Sequence, residues 1–399
     1  MEIQTITKPS HNVVVVGGGI AGVCAAVAAA RRGASVLLIE KSINLGGLAT
    51  RGLISWYEPL CDGEGHKMIG GLAEELIRLC TKVGLDDLSP AWGGIDRQKS
   101  NPHKRYCTHF SPTFFSLALD RWVLDAGVEL VLDSYATYPV MEAGRLQGVL
   151  VEEAAGRCFY PAEMVIDATG DASIAYRAGV PCVLGENFLS YWVHDLTYGT
   201  AQKYAGDKDL AAFRRWNCAG SAANGTGHPH GMKTFHGTSA EEITDFVLRG
   251  KDLLLKKYEG MDKDEREIMM LPEMPQFRTI RHIVGKVTFE GTEDGVRCDQ
   301  SIGATGDFRR AGTHYTIPYG TLYHPSVPNL LCAGRIISAV GEGWEITRVI
   351  PVCALTGEAA GAAAALALQY KNRADDVPYE HLRASLVSSG VLFEVHGIS

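Results

Sequence analysis

The chain has 399 residues, 46% of them hydrophobic and 21% charged, with 45 glycines and a formal net charge of −8. That length suits two domains, or one nucleotide-binding domain with a second inserted into it, and the negative charge argues against nucleic acid or an anionic membrane surface as partner. The ten cysteines (24, 61, 80, 107, 158, 182, 218, 298, 332, 353) form no CxxC pair; they read as buried thiols of a reducing cytoplasm, not as a zinc site, an iron–sulfur set or a redox disulfide.

The amino-terminal MEIQTITKPSHN has no basic segment, long apolar stretch or cleavage site, so no export signal is expected. Residues 12–40 read as a βαβ unit: VVVV, GGGIAG, VCAAVAAARRG, then SVLLIE. Gly17, Gly19 and Gly22 form GxGxxG between the first strand and the helix, and Glu40 ends the second strand. The first glycine permits a tight turn, the second lets a diphosphate reach the backbone, and the third lets helix and strand pack closely. The helix N-terminus adds positive potential, and Glu40 would accept hydrogen bonds from a ribose.

Ser111-Pro112 opens a helix through TFFSLALDRWVLDAG, and the strand-like pieces ELVLD, LQGVLVEE and MVIDATG return the chain to the sheet. Over residues 186–300 aromatic, His and charged residues interleave, and Ser239 to Tyr258 is an amphipathic helix pattern, which reads as an inserted substrate-side domain. NLLCAGR is a further buried strand and TGEAAGAAAALAL a small-residue helix. The longest apolar run, Ala359 to Leu368, is about half of the roughly 20 residues a membrane span needs, so no span is expected.

The glycine motif alone does not separate FAD from NAD, since both present the same diphosphate and ribose. GGGIAGVCAAVAAARRGASVLLIEK, LGGLAT at 45–50, IDATGDASIAYRAGVP at 166–181 and NLLCAGRIISA…RVIPVCALTGEAAGAAAAL at 329–366 recur along nearly the whole chain. In these segments, and in CDGEGHKMIGGLAEEL and MPQFRTIRHIVG, the sequence resembles the FAD-dependent oxidoreductase family, part of the glutathione-reductase-like flavoprotein superfamily and akin to its fumarate reductase and succinate dehydrogenase branch. The resemblance implies an α/β fold. A Rossmann-like FAD-binding domain, a parallel sheet with a β-meander insertion, would take residues 1–185 and 313–375. An inserted α+β substrate domain would take 186–312, and 376–399 would be a tail.

Several segments also have a physical reading. Gly46 and Gly47 would let backbone lie against a flavin edge, with the Thr50 hydroxyl bonding a flavin heteroatom or phosphate; an ordinary turn is the competing reading. Ala168, Thr169 and Gly170 end a strand with small residues where a nucleotide can pass, and Asp171 can cap the turn after them. Gly334 would let the chain pass the cofactor, and Arg335 would face phosphate or form a structural salt bridge. A helix beginning near Thr356 would aim its positive end at the flavin and stabilise the anionic reduced form. The resemblance places Arg348 and Pro351 beside the flavin ring and extends the cofactor contacts to Ile20, Ala21, Lys41, Leu48, Ala49, Ala136 and Val352. It implies FAD held non-covalently; His66 and Cys61 are the conceivable tethers, and neither is expected to serve.

No second GxGxxG follows a strand between residues 100 and 330, so no separate NAD(P)H domain is expected, and the electron donor or acceptor stays open. On the substrate side, the i, i+3 spacing of Arg278 and Arg281 would put both on one helix face, where guanidinium groups clamp carboxylates. The likeness to fumarate-reductase-like enzymes gives Arg278, Arg281, His282 and His314 catalytic roles, with His314 the expected general base; domain-interface salt bridges compete for the arginines. His228, His230 and His236 read as a loop lining, and no metal site is expected. Trp192, His194, Trp216 and Tyr191 would line a substrate pocket or fill core. The expected function is hydride transfer between flavin N5 and a small carboxylate- or hydroxyl-bearing substrate by a dehydrogenase or reductase, with self-association undecided. The alternative is a flavin-bearing electron-transfer subunit of a larger complex.

Overall fold

Val13, Val14 and Val15 are fully buried, with side chains on both faces of their strand, as befits the middle of a parallel sheet covered on each side. The computed structural model describes residues 4–84, 88, 107–207, 210–222 and 225–394. Strand β1 (His11–Val16) leads through the glycine turn into helix α1 (Ile20–Ala30) and returns as β2 (Val36–Ile39), in parallel register with Val13 opposite Val36. Helix α2 (Gly71–Lys82) and helix α3 (Pro112–Asp125) come next, the second capped by the Ser111 hydroxyl, which accepts from the Phe114 N–H at 3.5 Å. Strand β3 (Glu129–Val131) then pairs with β2.

The chain next makes an antiparallel meander, β4 (Tyr135–Glu142), β5 (Arg145–Glu153) and β6 (Gly156–Asp167). β6 serves two sheets. Its first half closes the meander; its second half, Ala162 to Asp167, runs parallel to β1. Its last residue thus lands beside the glycine turn.

The insertion is a three-stranded antiparallel sheet backed by one helix: β7 (Ser190–Thr197) lies between β8 (Arg215–Gly220) and β9 (Arg266–Met270), with α4 (Ala240–Glu259) across it. Ser239 caps α4 by accepting from the Glu242 N–H at 3.2 Å. Buried Asp195 locks this unit, accepting from Arg215 at 2.7 and 2.5 Å, Asn217 at 2.8 Å and Tyr258 at 2.5 Å.

Two expected boundaries move. Strand β10 (Ser301–Asp307) is buried along its length and pairs with β11 (Arg310–Pro318), packing against the final core helix and not against the insertion. A Cβ at Gly303 would lie 2.8 Å from a Leu355 methyl. Residues 301–312 therefore go with the nucleotide domain. So does the expected tail, whose helix over residues 379–388 packs on the same core helix and accepts hydrogen bonds from Arg32 at Ser385 and Ser389.

Strand β12 (Leu330–Cys332) completes the parallel order β3-β2-β1-β6-β12. Helix α5 (Ile350–Ala367) starts ahead of the expected Thr356, with Pro351 in its first turn. Its composition would suit a membrane span, with mean hydropathy 1.5, yet 83% of that window is buried inside the protein against α1, α2 and the last helix.

Candidate functional site

The three motif glycines are distinguished by what a side chain would meet. At Gly17, with φ +101°, a Cβ would lie 2.6 Å from the Ala168 carbonyl oxygen, so the turn is pressed against the end of β6. At Gly22 it would lie 1.7 Å from the Gly17 oxygen, which makes helix and turn inseparable. At Gly19 it would meet nothing within 4 Å. The open volume at Gly19 is a ligand's space, and α1 begins there with no side-chain cap on its N–H groups.

Around that space a groove of about 1030 Å³, its open mouth included, is lined by Gly17, Gly19, Ile20 and Ala21 of the turn, Glu40 and Lys41 after β2, and Gly46, Gly47, Leu48 and Ala49. Ala168, Thr169, Gly170 and Asp171 after β6, and Gly334, Arg335 and Arg348, form the opposite wall. Stretches far apart in sequence, with Gly237, Ile243, Met274, Pro275, Phe277 and Ile280 of the insertion among them, thus converge on one channel. Glu40 is buried; one carboxylate oxygen accepts from the Gly18 N–H at 2.7 Å and the other from the Ser42 N–H at 2.9 Å, leaving lone pairs for a further donor.

Asp167, absent from the expected site, organises its far wall. It accepts from Thr169 N at 3.0 Å, Thr169 Oγ1 at 2.6 Å and Ala175 N at 2.8 Å, fixing the turn that presents Gly170 and Asp171. An acid two residues before a threonine in a turn carries that signal in sequence. Arg51 was also missed; it lines the groove 3.8 Å from Glu40.

Arg51, Arg335 and Arg348 line the groove, while Arg278 lies outside that lining, within electrostatic reach of Arg335 and Arg348. Arg335 donates to the Gly170 carbonyl at 2.8 Å, and burial lowers its pKa. Arg348 pairs with Glu345, next to the uncapped start of α5, where Ile350 and Cys353 face the groove. Arg278 has no ion-pair partner among the described residues; burial, reinforced by the charges of Arg348 and Arg335, pushes its pKa down to about 9. Glu58 lies within electrostatic reach of Arg348 and Arg278, and burial nevertheless pushes its carboxyl up to about 7. Nothing in the sequence marks Glu58, because its shift depends on neighbours distant along the chain.

Other expected residues lie elsewhere. Arg278 and Arg281 share no helix face: residues 271–280 are irregular and Arg281 opens a short strand, where its guanidinium stacks 4.5 Å over the Tyr176 ring and reaches the Asp171 carbonyl at 3.3 Å. His282 is buried edge-on against Trp344, bonded through Nδ1 to the Ile283 carbonyl at 2.8 Å, and burial lowers its pKa; it is a packing residue, not a groove acid. His314 is not a base at the groove but bonds Asp62 Oδ2 at 2.9 Å, as His66 does at 2.6 Å.

The Thr50 hydroxyl is spent within its own loop, donating to the Leu45 carbonyl at 2.5 Å. Ala136 lies in the meander opposite Val151, outside the groove lining. Pro351 and Val352 face a separate pocket of about 260 Å³, its open part included.

In the insertion, Tyr191 is core against Gly250, whereas Trp192, Trp216 and Trp56 form a chain of rings with centroids 4.3 and 5.7 Å apart. His194 reaches Ser55 at 3.2 Å. This cluster joins the insertion to the segment that carries Glu58. His228 and His236 each bond backbone carbonyls, of Met232 and Gly185, and share no centre.

The arrangement fits a flavin dinucleotide: open space at Gly19, two uncapped helix starts, cationic groups along one wall, and a buried ribose-side carboxylate. A family model described as FAD dependent oxidoreductase matches residues 12–219 and 237–386, well over half of the chain. A digeranylgeranylglycerophospholipid reductase of Methanoculleus marisnigri is 28% identical over 193 residues, 44% of this chain and 43% of that protein, so the match spans less than half of the relative's length. Among solved structures, the p-nitrophenol 4-monooxygenase of Pseudomonas putida shares the fold over 96% of this chain and 85% of its own, with a TM-score of 0.50 and 13% identity. A geranylgeranyl bacteriochlorophyll reductase-like protein of Thermoplasma acidophilum aligns over 95% and 82%, with a TM-score of 0.45 and 14% identity.

Proposed function

Because the chain belongs to the FAD-dependent oxidoreductase family, an enzyme family whose cofactor is FAD, we propose that it exchanges a hydride with a small carboxylate-bearing substrate held beside Arg348, with Arg278 and Glu58 within electrostatic reach. The observation that carries this reading is Arg278, a sheltered guanidinium with no carboxylate partner among the described residues. A half-buried cation that makes no ion pair among the described residues favours binding an anion, and a planar guanidinium matches a carboxylate with two parallel hydrogen bonds. Bound FAD supplies the hydride-accepting or hydride-donating centre at N5.

The chain's own residues do the rest. Arg278 orients the substrate, and Arg348, held by Glu345, adds field beside the start of α5. Glu58, with its carboxyl at about 7, takes the companion proton in oxidation and returns it in reduction, since a group that titrates near the working pH does both. The tryptophan cluster shields this end from water. FAD is read as non-covalent: Cys61 is buried and His66 is bonded to Asp62, both outside the groove lining.

The test is a bleaching screen of the visible flavin band in purified protein, comparing hydroxy acids, amino acids and enoates with their esters and amides. Carboxylates are expected to react and their neutral analogues to fail. Arg278→Leu is expected to lower kcat/KM by about 10²–10³, the cost of truncating one side of a buried charge pair. Equal turnover of acids and amides would sink the proposal.

A further inference from the structure

Outside the groove, Asp62, His66 and His314 bring three ligand-type atoms together, all within 4.8 Å of one another. We propose that Asp62 Oδ2, His66 Nδ1 and His314 Nε2 form a binding site for a divalent first-row transition cation, Zn²⁺ being the probe of choice. One carboxylate oxygen and two imidazoles are a donor set for zinc or its neighbours in that row, and poor for magnesium or calcium, which take oxygen ligands.

The site is built from two parts of the chain and held from behind. Asp62 Oδ1 accepts from the backbone N–H groups of Glu64 at 2.8 Å and His66 at 3.0 Å, which fixes the carboxylate and turns Oδ2 towards both rings. The Asp62 carbonyl accepts from Gly312 N–H at 2.8 Å, tying the loop to β11, and the backbone N–H of His314 is anchored by Asp294 at 2.7 Å. The two rings are 67° apart in plane with centroids at 6.5 Å, so they converge on the carboxylate oxygen without stacking.

At 2.6 and 2.9 Å from Oδ2, both imidazole nitrogens must carry protons to make these bonds. A cation replaces those two protons. Metal–ligand bonds of about 2.0–2.2 Å space tetrahedral ligands roughly 3.4 Å apart, so the two imidazole nitrogens, now 2.6 and 2.9 Å from Oδ2 and within 4.8 Å of each other, need only local adjustment to form a coordination shell. The Asp62 side chain is fully buried, whereas that of His66 is 45% exposed, which gives an ion its entry path and leaves room for water as a further ligand. Bound metal would clip residues 62–66 to β11. This site stands independently of the substrate reading above.

The test uses the full-length flavin-loaded protein, stripped with EDTA and titrated with zinc chloride in a calorimeter. One equivalent per chain is expected to bind saturably. His66→Ala and His314→Ala are each expected to weaken that binding at least about tenfold, whereas His230→Ala, at an exposed position of the insertion, leaves it unchanged. Absence of saturable binding, or wild-type affinity in both His66→Ala and His314→Ala, overturns the proposal. X-ray absorption of the zinc-loaded wild type needs no variant: a shell of two imidazoles plus oxygen is expected, and a sulfur-containing shell refutes the assignment.

Discussion

At Gly19 a Cβ meets nothing within 4 Å, so a valine side chain would project into the groove, whereas at Gly22 the Cβ would strike the backbone of Gly17. Gly19→Val is therefore expected to purify colourless with the melting temperature of flavin-stripped wild type, and Gly22→Val to lose the fold itself. Circular dichroism melts alongside visible spectra separate the two outcomes. Glu58 makes a prediction in pH. Its carboxyl sits at about 7, above the ordinary 4.5, so the folded protein holds a proton that the unfolded chain releases between those values. Its contribution to stability accordingly falls as pH rises from about 4.5 to 7, and Glu58→Gln is expected to flatten part of that fall in denaturant titrations. The same variant is expected to remove a limb near pH 7 from the kcat/KM profile and to lower the plateau by about 10²–10⁴. The motif glycines and Glu40 were readable because their chemistry is local. Glu58, Arg51 and the pairing of His314 with Asp62 were not, since each depends on residues far apart in sequence.

Among elements, the crossing of α1 and α5 decides whether the glycine turn is held. Cβ atoms at Gly357 and Gly361 would lie 2.2 Å from the carbonyl oxygens of Ala21 and Ala25, so the two helices touch backbone to backbone. Gly361→Val is expected to push them apart at a cost of about 1–3 kcal/mol, as overpacking does, and to loosen flavin retention with it. Calorimetric melts and the rate of flavin loss on dilution measure both. The same helix reaches α2: Glu358 Oε2 accepts from the Leu72 N–H at 2.7 Å, giving the start of α2 a cap from another element. Glu358→Ala leaves that N–H unmet in the interior and is expected to cost about 1–3 kcal/mol, while Glu358→Gln retains an acceptor and costs less. The small residues of TGEAAGAAAALAL announced a packed helix, but not where it starts or which faces look onto the groove; Pro351 and Val352 face away from it because the helix begins at Ile350. The i, i+3 spacing of Arg278 and Arg281 misled for a related reason: spacing carries meaning only once the element is known, and here the backbone is irregular before a short strand.

For the whole molecule, stretches far apart in sequence line one channel, so ligand and fold are coupled. Adding FAD to stripped protein at about 100 times its dissociation constant is expected to contribute about 2.7 kcal/mol of stability, read as a higher melting temperature in wild type and no change in Gly19→Val. The sequence by itself determined the α/β class and the dinucleotide turn, because strand–glycine–helix periodicity is a local pattern that survives without neighbours; the family and its FAD came from the resemblance of its separated motifs, since the glycine turn alone serves FAD and NAD alike. Only the tertiary structure decided that Arg278 makes no ion pair among the described residues while Arg281 stacks on Tyr176, that residues 301–312 pack with the nucleotide domain, and that His66 and His314 meet at one carboxylate. Charge, burial and ligand convergence are properties of space, and two residues separated by hundreds of positions acquire them only when the chain has closed on itself.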